Sequence, residues 1–244
     1  LHASGAQTAF RFNSYIALAL AARVGGAEGV AQMAVIVSVC VPLCNVAAVW
    51  PLARIHAVRD LAKAAGMAVH MDGARLMNAV VKSGVAAKEH CAGFDSAWID
   101  LTKGLGAPVG AVLAGSADFI DRAWMVKQQI GGAMRQSGVI AAMGLYALDH
   151  NVARLAEDHA LAAWIGGELG AMRKVVRVLP VETNIVIFDV AEDAPEAAEI
   201  VRLCKARDVG LGAFGPRRLR AVTHLDVDRA GAEALCGGLG HHLG

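Results

Sequence analysis

The sequence predicts an α/β protein in two parts, a larger one with a largely parallel sheet and a smaller α/β unit that closes the chain. Three observations predict this. Short apolar runs alternate with stretches of helical periodicity through the first half. Asp72 and Lys103 lie just past the ends of two of those runs. After Gly132 the pattern gives way to a long alanine-rich helical stretch, and then strand–helix alternation resumes. The boundary is drawn at 135/136: residues 1–135 form a partial large domain, and residues 136–244 a connecting helix with a small C-terminal domain.

In chain order, "NSYIALALAARVGG" (residues 13–26) reads as a helix capped by Asn13 or Ser14 and stopped by Gly25-Gly26. The run Val35 to Val41 reads as a buried strand. The uncharged stretch from Gly29 to Ala53 is long enough to cross a membrane, but Gln32, Pro42, Asn45 and Pro51 break it, which favours strand plus loop. In "PLARIHAVRDLAKAAG" the residues Leu52, Ile55, Val58, Leu61 and Ala62 share a helical face, and Gly66 ends it. "MAVHMD" reads as a strand, Ala74 to Ser83 as an amphipathic helix, and "SAWIDL" and "VGAVLAG" as strands on either side of a lysine loop. Residues 133–172 read as two helices in series, rich in alanine. Then follow a strand in "ETNIVIFDV", a helix in "APEAAEIVRLCKARDVG", a strand in "RLRAVTHLD" and a closing helix in "DRAGAEALCGGLG".

Composition narrows the function. The chain has 244 residues, 56% hydrophobic and 18% charged, with a net charge of +1. It is core-rich and globular, with neither a nucleic-acid surface nor a polybasic membrane patch. Cys40, Cys44, Cys91, Cys204 and Cys236 form no CxxC pair and read as reduced thiols of a cytoplasmic protein. No charged leader with a cleavage-like site opens the chain, so a secretory signal is not expected. No metal site is expected. His70 lacks companion ligands, His224 reads as a core histidine, and His241-His242 as a solvated tail.

The chemistry concentrates where strands end. In open α/β sheets ligands bind outside the carboxyl ends of the strands, and both Asp72 and Lys103 lie just past such an end. Lys103 sits between apolar runs, flanked by Thr102 and by Gly104, Gly106 and Gly110. A lysine there is either a residue snorkelling into water or a desolvated amine ready to attack a carbonyl. Thr102 offers a hydroxyl to an anion. Asp72 is either a helix N-cap or a carboxylate that keeps a ring nitrogen protonated. Amine and acid together are the pair that pyridoxal phosphate requires. Arg75, one helical turn on, and Arg220, entering an apolar strand, suit a bidentate grip on a substrate carboxylate. Arg217 and Arg218 read as surface charges.

Taken together, "VHMDGARLMNA", "DLTKGLGAPVGAVLAGS", "GGAMRQSGVIAAMGLYAL", "VETNIVIFDV" and "RAVTHLD" resemble the L-threonine aldolases, β-eliminating lyases of the fold type I, aspartate-aminotransferase-like class. The match runs from about Trp50 to Arg229. The resemblance implies that Lys103 carries pyridoxal 5'-phosphate, that Asp72 pairs with its ring nitrogen, and that Arg75 and Arg220 bind the amino-acid carboxylate. It implies that Arg135 reaches the phosphate, in its own or a neighbouring subunit. The implied reaction is cleavage of L-threonine or L-allo-threonine to glycine and an aldehyde, in a cytoplasmic homotetramer. The resemblance also implies roughly a further hundred residues ahead of Trp50, with a Ser-Gly-Thr phosphate loop and a histidine stacked on the ring. Here only Ser4-Gly5-Ala6 echoes the loop, so the large domain is expected to be incomplete at its N-terminus and the enzyme impaired. The alternatives are another lyase or an aminotransferase on the same scaffold, or an inactive remnant.

Overall fold

The computed structural model describes residues 52–244. The helix at 13–26, the strand at 35–41, Cys40, Cys44, Ser4-Gly5-Ala6 and nearly all of the 29–53 apolar run lie outside the described residues. The described residues fall into two compact units, which meet in sequence between Val152 and Ala153.

The first unit opens with helix α1 (Leu52–Ala64), which closes with Lys63 in its last turn; the chain then bends at Gly66, held at φ +72°. Of the apolar face expected of α1, Ala62 is buried and Leu52, Ile55 and Val58 are half-buried, while Leu61 is 74% exposed. Strand β1 (His70–Gly73) leads into helix α2 (Leu76–Ser83), which ends on Gly84 in the left-handed region, where the Gly84 amide donates to the Val80 carbonyl. A single turn, α3 (Ala87–His90), precedes strand β2 (Ser96–Asp100). Strand β3 (Ala111–Gly115) follows, then helices α4 (Ala117–Gln129) and α5 (Gly138–His150).

The sheet order is β1-β2-β3, with β1 parallel to β2 and β3 antiparallel to β2. The expectation of a largely parallel sheet therefore holds for one of these two pairings. The Lys103 loop, from Leu101 to Gly110, is too short for a parallel crossover, so the chain turns straight back. Helix α4 was not anticipated. Its signal is local: the Ser116 hydroxyl accepts from the Phe119 amide, Asp118 lies in the first turn and Lys127 in the last.

The second unit packs helix α6 (Leu155–Gly170), helix α7 (Ala197–Lys205) and helix α8 (Arg229–Leu243) on an antiparallel sheet of order β4-β5-β7-β6. The strands are β4 (Val175–Val178), β5 (Ile185–Val190), β6 (Gly212–Ala213) and β7 (Arg218–Val222). Its core holds Ile165, Leu169, Val186, Phe188, Ile200, Leu219, Leu239 and Leu243, none more than 1% exposed. No helix among the described residues is long and apolar enough to cross a membrane.

Candidate active site

The site is built on one face of the first sheet. Successive residues of a strand point to opposite faces, so His70 and Asp72 of β1 share a face with Ser96, Trp98 and Asp100 of β2. In the parallel ladder His70 lies beside Ser96 and Asp72 beside Trp98. His70 Nδ1 and Ser96 Oγ are hydrogen-bonded at 2.8 Å. Burial pushes the His70 imidazole below its ordinary value, and the Asp72 carboxylate opposes that shift without cancelling it.

The two strands approach closely at Gly73. A Cβ there would lie 1.9 Å from the Trp98 carbonyl oxygen, so no other residue fits without moving β1 away from β2. Immediately after it the Ala74 amide donates to Asp72 Oδ1 at 3.0 Å. This closes a tight turn and holds the carboxylate at the strand end. Helix α2 begins only at Leu76, with Arg75 in the cap position, so the reading of Asp72 as N-cap is corrected.

Lys103 stands three residues past the end of β2, on a loop tied at several points. The Ala107 amide donates to the Leu101 carbonyl at 2.8 Å, the Leu101 amide to the Gly110 carbonyl at 3.1 Å and the Gly106 amide to the Lys103 carbonyl at 2.9 Å. Gly106 and Gly110 take φ of +69° and +123°, which glycine adopts without strain. The Asn151 side chain donates to the Leu105 carbonyl at 2.7 Å and pins the loop from the end of α5. The loop delivers the Lys103 ammonium over the Trp98 indole, 5.1 Å from the ring centroid. There it forms an ion pair with Asp100.

Asp100 and Trp98 were not singled out in the sequence. The available signal was an acid at the last position of a strand, three residues before the lysine and on the same sheet face as Asp72. Asp100 is nearly buried. Its Oδ1 accepts from the Thr102 amide at 2.8 Å and the Thr102 hydroxyl at 2.7 Å, and its Oδ2 accepts from Lys103. Burial raises its carboxyl, but the hydrogen bonds from Lys103 and Thr102 together prevail and leave it below the ordinary carboxylate value. The Thr102 hydroxyl, expected to serve an anion, donates to this carboxylate.

Beside the loop is a small cleft bounded by Gly73, Ala74, Arg75, Asn78, Asp100 and Gly104, of about 10 Å³. That is room for about one water molecule. Arg75 and Asp100 therefore line the same cleft. Arg135 is exposed, in the segment between α4 and α5 and next to Gln136 at φ +50°. Arg220 belongs to the second unit, on β7 beside Ile187, with its guanidinium 5.1 Å from the Phe214 ring. The reading of Arg217 and Arg218 as plain surface charges is corrected. Arg218 grips Asp189 with two hydrogen bonds of 2.7 and 2.8 Å, and Arg217 donates to the Ala191 and Ala194 carbonyls. The Arg218 guanidinium holds the Asp189 carboxyl below its ordinary value. His224 is half-exposed, its Nδ1 accepting from the Asp226 amide, and not a core residue. Among the described residues no cluster of His, Cys, Asp and Glu could hold a metal ion.

Residues 21–193 match the sequence profile described as Beta-eliminating lyase. The chain belongs to the beta-eliminating lyase family. Among curated members, the low specificity L-threonine aldolase of Escherichia coli (strain K12) is 43% identical over 181 residues, 74% of this chain and 53% of that protein. The low-specificity L-threonine aldolase 1 of Arabidopsis thaliana is 41% identical over 172 residues, 70% of this chain and 48% of that protein. The chain thus spans about half the length of the curated relatives it matches.

Solved structures carry the fold. The Leishmania major threonine aldolase matches with a TM-score of 0.60 at 17% identity, over 78% of this chain and 56% of that one. LysN, the α-aminoadipate aminotransferase of Thermus thermophilus, was solved with N-(5'-phosphopyridoxyl)-L-leucine. It matches with a TM-score of 0.61 at 17% identity, over 79% of this chain and 54% of that one. This family member therefore has the fold type I architecture expected from its motifs.

Proposed function

We propose that this chain carries the lysine-bearing half of a pyridoxal 5'-phosphate-dependent aldehyde-lyase, which cleaves L-threonine and L-allo-threonine to glycine and an aldehyde. The observation that carries the reading is the shared sheet face: Lys103 Nζ lies over Trp98, the ladder neighbour of Asp72. The donor set fits the cofactor. A primary amine suits its aldehyde and a carboxylate its ring nitrogen; Lys103 is exposed and Asp72 half-buried, and neither lines the small cleft. When bound, the cofactor supplies an electron sink for the pair left as the Cα–Cβ bond breaks.

In this reading Lys103 holds the aldehyde carbon and Asp72 keeps the ring nitrogen protonated. The Ala74 amide fixes the Asp72 carboxylate so that it need not reorganise. Thr102, once its hydroxyl turns from Asp100, and Arg135 are assigned to the cofactor, and Arg75 and Arg220 to the substrate carboxylate. The names of the curated relatives support the substrate class. The reading also takes the protein to be a cytoplasmic homotetramer. The exposed apolar side chains Val139, Leu145 and Tyr146 support its oligomeric part.

The test is spectroscopic first. Pyridoxal phosphate added to the chain is expected to give a yellow species that Lys103→Ala abolishes. Threonine is then expected to yield glycine and acetaldehyde. A chain that stays colourless with excess cofactor overturns the reading. The LysN fold keeps an aminotransferase as the second reading, and amino-group transfer from threonine to a keto acid, without glycine, would select it.

A further inference from the structure

Asp100 divides its two oxygens between different tasks. Oδ1 accepts from the Thr102 amide and hydroxyl and so builds the turn that starts the lysine loop. Oδ2 is left for the Lys103 ammonium. The carboxylate side chain is 10% exposed and the lysine side chain 38%, so the pair is only partly screened by water. The same ammonium lies over Trp98, so two contacts fix its position. An ammonium held by a carboxylate has no lone pair to offer a carbonyl carbon.

We propose that Asp100 is a positioning residue that parks the Lys103 ammonium on the face of Asp72, and that this ion pair must open before the amine can attack a carbonyl. The inference rests on the assignment of Lys103 as the carbonyl-binding amine, and it adds a regulatory step to that assignment. It makes the pairing a resting state rather than a permanent feature of the turn.

Asp100→Asn separates the two tasks. The amide oxygen still accepts from Thr102 and keeps the turn, while the anion facing Lys103 is lost. The probe is formaldehyde with cyanoborohydride at neutral pH, which methylates amines through attack on a carbonyl and needs no cofactor. The Lys103 peptide is read by mass spectrometry against the chain's other lysines. We expect Lys103 methylation to rise roughly threefold in Asp100→Asn, the scale of a partly screened ion pair. In Asp100→Glu it should return toward the starting rate, since the anion is restored. Equal methylation of Lys103 in the wild type and Asp100→Asn overturns the proposal, as does a Glu variant that behaves like Asn. If Asp100→Asn does not fold, Asp100→Ser keeps an acceptor for the Thr102 amide and carries the same expectation. A wild-type chain that never colours with pyridoxal phosphate would sink the cofactor reading, whereas the methylation ratio decides the ion pair by itself.

Discussion

In residues 153–244 the large side chains Leu155, Ile165, Leu169, Phe188, Ile200, Leu219, Leu239 and Leu243 are all closed off from solvent. In residues 52–152 many large apolar groups are open: Trp124, Met125, Ile130, Met134, Val139, Leu145 and Tyr146 are each more than half exposed. The candidate chemistry lies with the second kind of surface, because β1, β2 and the lysine loop all belong to the first unit. The comparison teaches that the two units are stabilised differently. Residues 153–244 close an apolar core over an antiparallel sheet. Residues 52–152 rely more on local ties, namely the Gly73 contact, the Leu101–Gly110 hydrogen bond and the Asn151 pin.

The largest effect that sharpens this contrast is expected from Phe188→Ala. Removing a fully buried ring is expected to destabilise residues 153–244 by about 4 kcal/mol. Hydrogen exchange followed segment by segment should show the loss across β5, β7 and α6. A loss shared equally by β1 and β2 would mean that the two units unfold as one.

Gly73→Ala is expected to cost about 3 kcal/mol by pushing β1 from the Trp98 carbonyl. The same assay should show faster exchange in β1 and β2, with β5 unchanged. Pyridoxal phosphate colour should weaken with it, because Asp72 and Trp98 lose their register.

Acid should separate the units by pH window. Burial holds His70 and His90 below the ordinary histidine value of 6.5, so the unfolded chain takes up those protons first. The first unit therefore begins to lose stability as the pH falls through about 6.5. In the second unit Asp189 is held below its ordinary 3.8 by Arg218. Its contribution is complete above that value and is lost only as the pH falls through the lower folded one. Chemical denaturation as a function of pH checks the order, and His70→Asn should remove part of the earlier loss. The smallest effect is expected from Trp124→Ala. With the side chain 58% exposed, the change should stay within about 0.5 kcal/mol.

Much of the candidate site was legible because strand ends are marked by local chemistry. Asp72 follows an apolar run and Lys103 lies in a glycine-rich loop; Lys103 stands past the end of β2 as expected, whereas Asp72 lies within β1, one residue before its end. Helix α4 was missed because its polar and apolar residues form no buried face, and none of its residues is buried. The pairing partners of Arg217 and Arg218 were missed because they lie more than twenty positions away along the chain.

The sequence by itself determined the family, the order of most strands and helices and the position of the candidate amine, since these follow from residue type and short-range spacing. The tertiary structure decided that β3 runs antiparallel, that Asp100 and Trp98 meet the lysine, and that Asp72 turns its carboxylate to the Ala74 amide. Those facts depend on ladder register and loop closure, which bring together groups whose nearness no local pattern encodes.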